Sequence, residues 1–150
     1  MRQVLVLTAA LLIGGSYLAR YADKAVVEAP TLHAAGRDGH FHAEARVDGR
    51  HIDFMVDTGA TLVALRETDA AMAGIRPAPR DYTAAVSTAN GTIKAARAKL
   101  ERIEIGDITV FDVPALVLPD EALAQSLLGM AFLSRLRRFE VADGRLMLEQ

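Results

Sequence analysis

In residues 41–47 the apolar Phe41, Ala43, Ala45 and Val47 alternate with polar positions, and Ile52, Phe54 and Val56 repeat the pattern in residues 51–56. A period of two predicts two half-buried strands, and Asp48-Gly49 between them predicts a hairpin. The second strand delivers Asp57 to a bend at Thr58-Gly59, where glycine accepts backbone angles and close approaches that a side chain forbids. A second apolar run, residues 62–65, leaves that bend. Residues 66–73 read as a short helix, closed by Gly74 and kept from continuing by Pro77 and Pro79. Residues 82–88 and 92–105 read as strands joined by a turn at Ala89-Asn90-Gly91. Beyond Gly106-Asp107, residues 108–118 carry apolar bulk, but Pro114 and Pro119 restrict them to an edge or a broken strand. A helical turn over 121–126, the triplet Leu127-Leu128-Gly129 and a short amphipathic helix over 130–136 follow. Arg135, Arg137 and Arg138 gather at its end as a solvated face that suits the helix dipole. A last hairpin, 138–142 with 145–149, turns at Asp143-Gly144. Short strands at this spacing predict a small, mostly β, barrel-like domain with one or two short helices.

The N-terminal pattern is different. Residues 4–19 hold no charge, follow Arg2 and end at Arg20. Their length lies between a signal-peptide core and a full membrane span. Residues 1–21 therefore predict either an uncleaved hydrophobic helix, with Tyr17 and Tyr21 at the membrane interface, or a signal segment cut near Gly14-Gly15-Ser16. The anchor is favoured, because a helix can extend through Gln3 and Tyr21. A buried core helix fits less well, since the segment has no polar face. Residues 22–39, with Pro30, Gly36, Gly39 and no sustained period, read as a linker, leaving residues 40–150 as the folded domain.

Composition narrows the function. The chain has 150 residues, and once the N-terminus is set aside roughly 110 to 120 remain, enough for one core. A net charge of −2 with 24% charged residues supplies no field for nucleic acid. The absence of cysteine excludes disulfides, thiolate metal sites and a cysteine nucleophile.

Asp57 is the candidate for chemistry. An acid on a tight loop between two apolar runs is costly unless something uses or satisfies it. The alternative is an ordinary turn in which Asp57 caps backbone amides. His40 and His42 share a strand face and His51 could join them from the neighbouring strand, yet no fourth ligand or suitably placed carboxylate is evident, so no metal site is assigned. Gly-x-Ser-x-Gly is absent, and the glycines form no phosphate loop.

Asp57-Thr58-Gly59-Ala60, the turn at Ala89-Asn90-Gly91 and Leu127-Leu128-Gly129 before a short helix resemble, in order and rough spacing, the retropepsin-like aspartic proteases. With the N-terminal hydrophobic segment, the chain resembles the bacterial membrane-anchored members of that clan. The resemblance implies a single-lobed, closed acid-protease β barrel. It implies an endopeptidase with Asp57 as catalytic residue, Thr58, Gly59 and Ala60 supporting the loop, Ala89, Asn90 and Gly91 as a flap, and Leu128 and Gly129 backing the loop. Thr58 would hydrogen-bond across the interface of a homodimer. No cofactor is implied. The substrate would be an extended polypeptide, with Met55 and Val86 candidates for its pockets beside their core-packing alternative. The location would be the inner membrane, single-pass, with the domain facing the periplasm, or free in the periplasm if the N-terminus is cleaved.

The chemistry agrees with a dimer. Hydrolysis by water without a metal needs a base and an acid, and two carboxylates sharing one proton supply both. One chain carries a single Asp-Thr-Gly, so the second must come from another copy. Ala60 has no hydroxyl to donate to the carboxylate, unlike the Ser or Thr found there in pepsin-like enzymes, so activity is expected in mildly acid conditions. The competing readings are a non-catalytic dimeric module of the same fold that binds peptides or proteins, and a structural envelope protein that would be a stable monomer.

Overall fold

Asp48 and Gly49 both adopt positive φ, 49° and 84°, as a two-residue hairpin turn matched to strand twist requires. They join strand β2 (His42–Val47) to β3 (Arg50–Val56), with Val47 opposite Arg50. The computed structural model describes residues 31–88 and 91–150. The expected N-terminal helix, and residues 22–30 of the expected linker, lie outside the described residues.

After β3 come β4 (Val63–Arg66), helix α1 (Glu67–Met72), a tight turn at Pro79–Asp81, β5 (Ala84–Thr88), β6 (Gly91–Ile105) and β7 (Ile108–Leu118). A turn at Asp120–Ala122, β8 (Ser126–Leu128), helix α2 (Met130–Leu133), β9 (Arg138–Ala142) and β10 (Arg145–Glu149) complete the order. The strands β2-β3-β8-β4-β7-β6 lie side by side, and β6 returns to β2 at Arg46↔Glu104 and Val47↔Ile103, closing a six-stranded barrel. Closure removes the free edges that an open sheet would leave. Phe54, Leu65, Leu100, Ile103 and Phe132 fill the interior with no exposure. The mostly β barrel with two short helices is thus the fold that the alternating pattern predicts.

Three expectations need correction. Residues 31–34 are not linker: they form β1 (Thr31–Ala34), which pairs antiparallel with β10 in a separate sheet, β1-β10-β9. The partner strand lies at the far end of the sequence, so no local pattern announces it. Second, β7 is one continuous strand: among the described residues its first part, 108–114 with Pro114, pairs with β6 alone, as the expected edge, while 115–118 run between β6 and β4. Its pairing with β4 begins at Val63↔Ala115, one residue after Pro114, so the missing N–H takes no bond from that ladder. Asp112 just before it has φ 52°, and Arg135 donates to the carbonyls of Phe111 and Asp112 at 2.5 and 3.1 Å. Arg135 therefore does more than face solvent, and Arg137 and Arg138 pair with Glu149 and Glu140. Third, the helix expected over 130–136 ends at Leu133. Beyond it, Arg135 and Leu136 donate to carbonyls three residues back, a tightened last turn.

A buried hydroxyl ties β8 to the β4–α1 corner. Ser126, wholly buried, accepts from the Arg66 amide at 3.1 Å and donates to Asp69 Oδ2 at 2.5 Å. Ser126→Ala strands both partners, and a loss of about 1–3 kcal/mol is expected. Chemical denaturation checks this, and an unchanged midpoint would contradict it.

Candidate active site

The Asp57 loop is fixed from three sides by backbone bonds. Val56 donates to Phe41 O at 2.8 Å on one edge of β3, and Asp57 donates to Leu128 O at 3.1 Å on the other. β3 and β8 run parallel here, with Val56 opposite Leu128. At the far end of the loop, Met130 and Ala131, the first residues of α2, donate to Ala60 O and Thr61 O at 2.8 and 2.9 Å. Gly129 makes that approach possible: a Cβ there would stand 2.3 Å from Leu62 O and 2.5 Å from Ala60 O.

Within the loop, the Gly59 amide donates to Asp57 Oδ1 at 2.8 Å and the Ala60 amide to Asp57 O at 3.3 Å. A Cβ on Gly59 would stand 3.1 Å from Asp57 Oδ1, tighter than nearly all real contacts. Glycine thus brings an amide to the carboxylate and leaves its surroundings open. The carboxylate keeps acceptor capacity beyond the Gly59 bond, and Asp57 is half-buried beside exposed Thr58 and Gly59.

Asp57 opens onto a cleft of about 720 Å³. The cleft floor follows from strand alternation. On β4 and β8, Val63, Leu65 and Leu128 are fully buried in the barrel, while Ala64 and Leu127 between them face the cleft. On β7, Val117 points inward and Leu116 and Leu118 line the cleft. Continuous apolar runs are what strands covered on both faces require, here by the core and by the cleft. A second apolar cluster, centred on Ala64, Ala95 and Leu118 and joined by Val86 and Ile93, backs that floor.

β5 crosses the cleft, where Ala85, Val86, Ser87 and Thr88 line it. Among the described residues it pairs only with β6, down to Thr88↔Gly91, so a hairpin stands where the flap is expected. Gly91 belongs to that hairpin with φ 115°, and Ala89 and Asn90 lie outside the described residues. Of the two pocket candidates, Val86 lines the cleft. Met55 is not among the residues that line it; it lies opposite His42 on β2 and Leu127 on β8.

The far wall is formed by Ala122 and Leu123, which the sequence pattern does not single out. Asp120, at the start of that wall, accepts from the Thr68 amide at 3.0 Å and from Thr68 Oγ1. The Thr68 hydroxyl, then its amide, and the nearby Arg66 charge hold the Asp120 carboxyl below the usual carboxylate range. Its contribution to stability is therefore present above the ordinary carboxylate value and fades as pH falls through the lowered one. Tyr82, just before β5, has its hydroxyl pushed up by burial and by a hydrogen bond to Glu67.

The histidines do not converge. His42 faces Met55 across the hairpin while His51 faces Arg46. His42 Nε2 instead pairs with Asp38 Oδ2 at 2.9 Å, and the His40 amide donates to Asp38 Oδ1 at 3.1 Å. Among the described residues no three His, Asp or Glu side chains gather as metal ligands, and no helix is long and apolar enough to cross a membrane.

Comparison with known proteins follows the same lines. A family model described as gag-polyprotein putative aspartyl protease matches residues 43–135. An uncharacterized protein from the cobV 5′ region of Sinorhizobium sp is 43% identical over 111 residues, 74% of this chain and 48% of that protein. An uncharacterized protein of Rickettsia prowazekii (strain Madrid E) is 39% identical over 115 residues, 77% of this chain and 49% of that protein. The chain therefore spans about half the length of these relatives. Among solved structures, the crystal structure of a retropepsin-like aspartic protease from Rickettsia conorii superposes with a TM-score of 0.71 and 39% identity, covering 79% of this chain and 89% of that one.

Proposed function

Because the chain belongs to the retropepsin-like aspartic proteases, we propose that it is an endopeptidase whose active site forms when two copies bring their Asp57 carboxylates together. The observation that carries this is the Asp57 loop itself, pinned by β3, β8 and α2 at the mouth of an apolar cleft under a hairpin. Such a loop presents a carboxylate with little freedom to move, which is what proton transfer needs.

In the proposed step a water lies between the two carboxylates. The ionised one takes a proton as the water oxygen attacks the peptide carbonyl carbon, and the protonated one gives its proton to the carbonyl oxygen. Proton transfer to the amide nitrogen then releases the amine and leaves a new carboxylate terminus. The position of β5 at the end of the strand order, and the cleft floor, suit an extended chain held by backbone bonds, with side chains in alternating pockets. In this reading Thr58, exposed beside Asp57, would hydrogen-bond across the two-fold axis and lock both loops.

The uncharged run at residues 4–19 supports a domain tethered at the bacterial inner membrane and facing the periplasm, or released there after cleavage, acting on exported or membrane proteins. Initial rates on unfolded β-casein between mildly acid and neutral pH test the activity. The dimer is tested with the same preparation: active protein should have twice the 16.1 kDa chain mass, and activity per chain should fall on dilution. Undiminished activity from a monomer would contradict the shared site.

A further inference from the structure

Both ends of the cleft's far wall are fastened to one corner of the barrel. At one end Asp120 holds Thr68 through the amide and hydroxyl, and lies 3.7 Å from Arg66 Nε. At the other, six residues on, Ser126 holds the Arg66 amide and Asp69. Between these pins the chain turns at Asp120–Ala122, and Ala122 and Leu123 line the cleft, packed against Ala64, Ala95 and Leu118. The two pins differ in kind. Ser126 is fully buried inside the sheet, whereas Asp120 is half-exposed at the start of the turn.

The Asp120 pin also answers a need of α1. The residue at its N-cap position, Arg66, offers no side-chain cap, which leaves first-turn amides without a local acceptor. A carboxylate 52 residues away in sequence fills that role for Thr68. Arg66 Nε, buried and without a hydrogen-bond partner, faces the same carboxylate at ion-pair distance. Three groups of the β4–α1 corner thus converge on one oxygen pair that begins the wall.

We propose that Asp120 is a positioning residue for the substrate cleft: by clamping the 120–125 segment to α1 it holds Ala122 and Leu123 as the wall of an apolar subsite. The inference rests on the peptidase reading for its substrate and on the two pins for its geometry. Asp120 touches no reacting atom, so its loss weakens substrate binding and leaves the chemical step in place.

Two variants of the full chain, Asp120→Ala and Asp120→Asn, test this with two readouts. With β-casein as substrate, Asp120→Ala should raise KM about fivefold or more and keep kcat within about twofold. Its amides at 121–125 should exchange with solvent about tenfold faster, with β6 and β7 as protected as before. Asp120→Asn, which still accepts from Thr68, should fall within about twofold of wild type in KM. Unchanged exchange at 121–125, faster exchange with unchanged KM, or loss of protection throughout the domain would each overturn the clamp. If wild-type protein cleaves no casein at all, the peptidase reading fails on its own, and the exchange rates then decide the clamp.

Discussion

Asp57→Asn should lower cleavage of unfolded protein by about 10⁴-fold while leaving the fold and the assembly in place. The magnitude follows from the double duty proposed for this carboxylate, since positioned general acid–base groups each contribute about 10² to 10⁴. The fold should survive because among the described residues the side chain accepts one bond, from the Gly59 amide at 2.8 Å, and an asparagine Oδ1 can accept it too. The loop is otherwise held by backbone bonds to Phe41, Leu128, Met130 and Ala131. Circular dichroism and mass in solution should match wild type. An Asp57→Asn protein that cleaves at an undiminished rate would show that the chemistry lies elsewhere, and one that binds peptides without either form cleaving them would favour the binding module.

Gly129→Ala should be the most damaging single methyl in the domain. Its Cβ would meet two backbone oxygens, at 2.3 and 2.5 Å, and neither can rotate away as a side-chain tip could. Relief requires separating β8 and α2 from the Asp57 loop, which breaks the bonds from Met130 and Ala131 to Ala60 and Thr61. Overpacking of this kind costs about 3 kcal/mol or more, which for a domain of this size lowers the melting temperature by about 10 °C. Activity should fall further than stability, because the displaced atoms are those that set where Asp57 sits. A Gly129→Ala protein with native melting temperature and native rate would contradict this role. Gly49→Ala, at a position where a Cβ meets nothing but φ is +84°, serves as a control: it strains one distant turn and should leave the chemistry alone.

Much of this arrangement is legible along the chain because the signals are local. The period-two alternation at 42–56, with Asp48-Gly49 between, predicts β2 and β3. The tetrad at Asp57 and the triplet ending at Gly129 mark the two loops that meet, although only the three-dimensional structure shows that Gly129 is needed for two carbonyls rather than for a turn. What stays hidden depends on distance in sequence. β1 forms because β10 lies beside it, and residues 31–34 carry no period of their own. Pro114 argues against a central strand, but the argument assumes neighbours on both sides along the whole length, and β4 joins only from Ala115. The cleft floor is a subtler case. Residues 63–65 and 116–118 read simply as apolar, and only a sheet covered on both faces separates Val63, Leu65 and Val117, which fill the barrel, from Ala64, Leu116 and Leu118, which face the cleft. Asp120 and Thr68 are each ordinary polar residues until the fold puts them in contact.

The shared acid pair is tested most directly by mixing. Wild-type chain and Asp57→Asn chain, unfolded together and refolded in equal amounts, should give mixed dimers that hold only one competent carboxylate. Activity should then fall to about one quarter of that of an all-wild-type sample at the same total concentration, and should follow the square of the wild-type fraction across a series of ratios. A straight-line dependence on that fraction, with one half of the activity at equal amounts, would mean that each chain works alone and that the two-copy site does not exist.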